Sequence, residues 1–213
     1  MKSSISYILS SIRPYKDVLV FIITLLVANY FWKFTMVGDE NGDAVTWFGI
    51  DITAPFEFMA CHVADAVYWI VGLFRDTVYK VGDHVIRYDN GVGTSIIWGC
   101  TGLKQSFIFM CLILTVLPVR FRISDLGFRN SNFKFQIAKL WFIPIGWVCC
   151  YAFNIARIAA ITLLIEFHPD WFHFLHDYLF KYLFYAMLFG LWVIFVEKIV
   201  MQEREPIGME LNE

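Results

Sequence analysis

Charge is scarce in this chain of 213 residues: Lys and Arg number 17 and Asp and Glu 19, with a formal balance of −2. So few basic groups leave no electrostatic footprint for a nucleic acid, which argues against that partner. Paired cysteines are lacking too. The five present, Cys61, Cys100, Cys111, Cys149 and Cys150, form no CxxC and share no metal spacing with histidine. Neither a disulfide framework nor a zinc site is indicated, and no metal or cofactor is expected. No internal repeat or low-complexity linker divides the chain. Residues 1–14 lack the small-residue cleavage site of a complete secretory signal, so the first apolar segment is expected to be retained. We expect a single domain over residues 1–200 and a flexible cytoplasmic tail over 201–213.

What is abundant is apolar surface. Hydrophobic residues make up 59% of the chain and aromatics 19%, including 22 Phe and 8 Trp, a composition that suits lipid contact and interfacial aromatic belts. A bilayer core of roughly 30 Å takes about 20 residues of helix. Segments 15–36, 101–118, 138–167 and 176–199 meet that length, the third being either one helix or two broken near Pro144 and Gly146. The fold class predicted is therefore an all-α polytopic membrane protein with about four to six transmembrane helices.

Basic residues give the direction. Lys2, Arg13 and Lys16 precede the first span, and Arg120, Arg122, Arg129, Lys134 and Lys139 follow the second, so both regions should be cytoplasmic and residues 37–99 outside. Within that outer region, "FEFMACHVADAVYWIVGLF" (56–74) resembles a span. Glu57, His62, Asp65, Tyr68, Arg75 and Tyr79, at three- to five-residue steps, instead trace a polar stripe. They predict an amphipathic helix lying on the outer membrane surface, with a true span as the alternative. His62 and Asp65 are either a solvated face or a substrate contact. "HVIRYDNGVGTSIIWG" (84–99) then reads as a short extracytoplasmic β-hairpin turning at DNGVG, which delivers the chain to Cys100.

This topology brings Cys100, at the start of the second span, to the same membrane face as His176, at the start of the last. Arg157 lies about 18 residues beyond Lys139, roughly 27 Å along a helix, and reaches that face as well. A thiolate is a nucleophile whose pKa falls at a helix N-terminus beside a cation. Imidazole moves protons near neutral pH, and guanidinium stabilises an oxyanion. Together these residue types point to acyl transfer through cysteine. Lys104, one turn into the helix, Asn154, three residues before Arg157, and His173, three before His176, are candidate substrate contacts. Each has a plainer reading: snorkelling for Lys104, interhelical hydrogen bonding for Asn154, an inert interfacial ring for His173. Cys61, Cys111, Cys149 and Cys150 are read as packing residues.

"WGCTGLKQSF" (98–107), "NIARIAAI" (154–161) and "FLHDYLF" (174–180), in that order, resemble the exosortase/archaeosortase family of membrane proteases and transpeptidases. The resemblance covers about residues 80–195; Lys104 departs from an arginine frequent in the bacterial branch. It implies Cys100 as nucleophile, Arg157 as its electrostatic partner and His176 as acid and base. It also implies substrates that are membrane-anchored proteins with a C-terminal sorting signal of motif, transmembrane helix and basic cluster, and an amine or lipid-linked acceptor. The implied location is the prokaryotic inner membrane, multi-pass, with both termini cytoplasmic. The alternative is a catalytically silent membrane scaffold or transporter-like subunit.

Overall fold

A computed structural model describes residues 16–38, 44–116 and 130–201 of the protein, with side chains placed over 17–38, 44–116 and 135–199. Five α-helices dominate the described residues. Helix α1 (Lys16–Thr35) is apolar around nearly its whole circumference. It carries Asp17 in its first turn and Lys33 in its last, the signs that complement a helix dipole. It buries Phe21 and Ala28 on one line and leaves Val18, Leu19, Ile22, Ile23, Leu26 and Val27 uncovered, as a helix lying against lipid does.

Helix α1 is followed by a three-stranded antiparallel sheet, β1 (Met36–Gly38), β2 (Val45–Trp47) and β3 (Ile50–Asp51). Phe48 and Gly49, both at positive φ, close the β2–β3 turn, with Trp47 opposite Ile50. Helix α2 (Thr53–Gly72) comes next, then β4 (Val78–Val81), β5 (Val85–Tyr88) and β6 (Gly93–Ser95) in a second antiparallel sheet. A short 3₁₀ turn, Trp98–Cys100, leads to α3 (Leu103–Thr115). Helix α4 (Asn130–Ile165) and a last helical run, in which a π turn (Phe174–Leu179) opens into α5 (Phe180–Phe195), complete the bundle.

Among the described residues three helical stretches, Asp17–Thr35, Phe135–Ile165 and Pro169–Ile199, are long and apolar enough to cross a membrane. The described residues are thus mostly helical, and the long apolar helices suggest membrane association. The expected second span, 101–118, is shorter than predicted: α3 has 13 residues, about 20 Å of helix. Its end is closed by Lys139, whose Nζ donates to the carbonyls of Leu114 and Val116. The expected third span is one helix rather than two. Pro144 sits inside α4, and two residues on Gly146 lets the Phe109 ring of α3 lie where any Cβ would collide, at 1.8 Å. That close packing supports the backbone on both sides of the proline.

Helix α2 is not among the candidate spans. It buries Ala60, Val63, Ala64, Val67 and Val71 against the β4–β5–β6 sheet and α4, and Phe56 against Met36 and Val45 of the first sheet, and exposes Glu57, His62, Asp65 and Tyr68 together with Phe58 and Trp69. The expected six-residue polar stripe is corrected in one respect: the helix ends at Gly72, so Arg75 and Tyr79 belong to the connection and to β4. Asp65 pairs with Lys80 and has no contact suggesting a ligand role. The single hairpin also proves too modest. The β5–β6 turn is where it was expected, Tyr88 N–H donating to Val92 O at 2.9 Å, but β4 widens it and the β1–β3 sheet is additional.

The second sheet is bolted to α4. Tyr88 donates its phenol to the Thr162 carbonyl at 3.0 Å, and the hydroxyls of Thr94 and Thr162 meet at 3.0 Å. These buried bonds fix β6, and the turn that follows it, over the end of α4 that carries Arg157.

Candidate active site

Cys100 closes the 3₁₀ turn, its N–H donating to Ile97 O at 2.8 Å. Thr101 returns its hydroxyl to Trp98 O at 2.8 Å, and Gly102 takes φ +78° before α3 begins. A left-handed residue at that point suits glycine. A side chain there would also come within 3.1 Å of Asn154. From α4, Asn154 donates Nδ2 to the Cys100 carbonyl at 2.7 Å. The backbone of the candidate nucleophile is therefore held by the helix turn that carries Arg157.

Cys100, Arg157 and His176 line one small cavity of about 30 Å³, together with Thr94, Ile96 and Phe172. Arg157 and His176 also line a larger cavity of about 490 Å³, reached by Lys104, Gly99, Trp98 and Asp177. His176 stacks on Phe172 at 5.4 Å, and its Nδ1 lies 2.8 Å from Asp177 Oδ1. A ring that donates from Nδ1 to that carboxylate keeps Nε2 as its basic nitrogen.

Comparison with family models, curated proteins and solved structures returns no match.

Of the six candidate residues, five converge. Cys100, Arg157 and His176 share the small cavity, Lys104 lies on the wall of the larger one, and Asn154 holds the Cys100 backbone. His173 stands apart, 86% exposed and on neither cavity wall, with Asp177 at 3.3 Å and the Phe172 ring edge-on at 5.9 Å. Of the two histidines, His176 alone lines these cavities.

The expected electrostatics of Cys100 need correction. Helix α3 starts three residues later, too far for its N-terminus to act strongly on the thiol. Burial pushes the thiol above its ordinary range, and the Ile97 backbone bond and the Arg157 charge offset this only in part. Burial thus favours the thiol over the thiolate here.

Asp177 is a site residue the sequence reading passed over, although it stands beside His176 in "FLHDYLF". A carboxylate adjacent to a candidate histidine is the usual ring-orienting partner and was the available signal. Lys33 and Lys181, on the wall of the larger cavity, gave no such signal, because lysines near the ends of apolar helices are ordinary snorkelling residues.

Proposed function

We propose that the chain is an exosortase-like membrane cysteine protease or transpeptidase. In this reading Cys100 Sγ attacks the carbonyl carbon of a scissile peptide bond and its proton passes to His176 Nε2. The guanidinium of Arg157 stabilises the tetrahedral oxyanion. Collapse of that intermediate breaks the C–N bond, and His176 returns the proton to the leaving amine, giving a thioester on Cys100. Water or an acceptor nucleophile then attacks the thioester while His176 takes its proton. The acyl chain leaves as an acid, or joined to the acceptor, and the thiol is restored. Substrates are exported proteins whose C-terminal sorting signal includes a transmembrane helix, and the site faces the outside of a prokaryotic plasma membrane.

One observation carries the proposal: a thiol, a guanidinium and an imidazole, supplied by three separate elements, line one cavity at the end of the helices. Its half-buried Arg-facing thiol, raised by burial, is the observation that favours the competing reading of a silent scaffold. Replacing Cys100 by Ala at equal expression separates the two. The proposal expects cleavage of a co-expressed membrane-anchored substrate to stop, and a hydroxylamine-sensitive acyl adduct on Cys100 in the wild type. Unchanged cleavage in Cys100→Ala sinks it.

A further inference from the structure

The larger cavity holds more positive charge than the proposed chemistry uses. Lys33 from α1, Lys104 from α3, Arg157 from α4 and Lys181 from α5 all line its roughly 490 Å³. Lys33 and Lys181 are near enough to act on the Lys104 charge. None of the three lysines has an ion-pair partner among the described residues. The wall's carboxylate, Asp177, is already engaged by His173 and His176. Arg157 is only 9% exposed, and its Nε is buried without a hydrogen-bond partner. Four cations gathered from four helices repel one another, and a buried guanidinium nitrogen without an acceptor is costly. An anion in the cavity would relieve both.

The surroundings indicate where the anion comes from. Helices α1 and α5 touch through Phe21 against Phe189 and Trp192. Farther along, toward the sheets, they present Lys33 and Lys181 to the cavity between them. Tyr30 and Phe34, close to Lys33 along α1, and Tyr178 and Tyr182, close to Lys181 along the last helical run, are exposed and are the residue types that settle at a membrane–water interface. Trp32, Trp98 and Tyr185 give the cavity amphipathic walls. An occupant bearing more than one negative charge on a compact group matches the cation count better than a single carboxylate. Lysine and arginine are the usual phosphate ligands.

We propose that this cavity is a binding site for the phosphate group of a membrane lipid. The headgroup sits among Lys33, Lys104, Lys181 and Arg157, and the acyl chains run down the uncovered apolar flank of α1. The site is independent of whether Cys100 is a nucleophile.

The test uses the full chain purified in a non-ionic detergent, with binding of dioleoyl phosphatidic acid, dioleoyl phosphatidylcholine and oleate followed by native mass spectrometry. We expect phosphatidic acid to bind about tenfold more tightly than oleate, the single-charge carboxylate probe. The triple variant Lys33→Gln, Lys104→Gln, Lys181→Gln should lose about tenfold in phosphatidic acid affinity, whereas Lys80→Gln, Arg87→Gln, Lys198→Gln should not. Should the triple variant not fold, Lys33→Gln alone, at an exposed position, must still weaken binding while melting as the wild type does. Wild-type affinity in whichever of these variants folds overturns the proposal. Oleate binding as tightly as phosphatidic acid overturns the assignment of the phosphate group. Inorganic phosphate or pyrophosphate binding as tightly as the lipid overturns the lipid source. A wild-type chain that processes substrate but binds no phosphatidic acid counts against this site alone, and one that binds the lipid but processes no substrate counts against the reading of Cys100 alone.

Discussion

Cys100 is held by its backbone more firmly than by its side chain. Its N–H and C=O are both bonded, to Ile97 and Asn154, while its thiol lies in a small apolar-walled cavity that burial makes unfavourable for thiolate. With the thiol raised above its ordinary value, the reactive thiolate is a minor species at neutral pH and grows as pH rises through the raised value. Alkylation of Cys100 by iodoacetamide should therefore climb steeply only in the alkaline range, with the other four cysteines replaced by Ala. Removing the Arg157 charge in Arg157→Gln takes away an attraction that favours thiolate, so the profile should move to still higher pH. A profile that is flat, or that moves the other way, contradicts this account of the thiol. Asn154 acts on position instead. Asn154→Ala removes the donor to the Cys100 carbonyl and should lower stability by about 1 kcal/mol, since it also removes the orphaned Asn154 Oδ1. Substrate cleavage, which depends on where Sγ stands, should fall on the order of a hundredfold. Thermal unfolding in detergent and a cleavage time course, measured on the same preparation, separate the two effects.

Among the elements, α3 depends most on a single side chain from elsewhere. Too short to reach across a bilayer core unaided, it ends with its last carbonyls bonded by Lys139, whose ammonium also stands 4.8 Å over the Phe135 ring. Lys139→Met keeps the apolar stem and removes both bonds, and should cost about 1–3 kcal/mol, read as a lower melting temperature. A melting temperature equal to that of the wild type would mean the carbonyls find other donors. The sequence reading had counted Lys139 as one of a basic loop. Its capping role was invisible because it depends on where α3 stops, and the apolar run from 101 to 118 gives no sign of an early end. The long helices were legible, because uninterrupted apolar length is itself the signal. The polar face of α2 was legible from Glu57, His62, Asp65 and Tyr68 at three- to five-residue steps, though not the end of the helix at Gly72. The β1–β3 sheet was not: its tightest turn is Phe48–Gly49, where Asn or Gly is the expected first residue, and its strands are only two or three residues long.

The molecule is polar in its construction along its long helices. Both sheets, α2, Cys100, Arg157 and His176 gather at one end, and Lys139 and Glu197 mark the other. Three of the five site residues that converge were readable because the chain's direction, once taken from basic residues, fixes which helix ends meet; their side-chain contacts were not, since those depend on the 3₁₀ turn and on the bolting of β6 to α4. The basic residues at 2–16 and 120–134 that set this direction lie outside the placed side chains. Meanwhile the sheet end holds Lys33, Lys104 and Lys181 of its own. If these are neutralised by a bound anion they weigh little in orienting the chain, and the positive-inside rule puts the sheet end outside. The consequence can be measured in intact cells with a membrane-impermeant maleimide on a chain freed of native cysteines. Asp89→Cys, in the exposed β5–β6 turn, should react without permeabilisation, and Glu197→Cys only after it. The reverse pattern would turn the sheet end, and with it the proposed site, toward the cytoplasm, where exported substrates could not be processed after translocation.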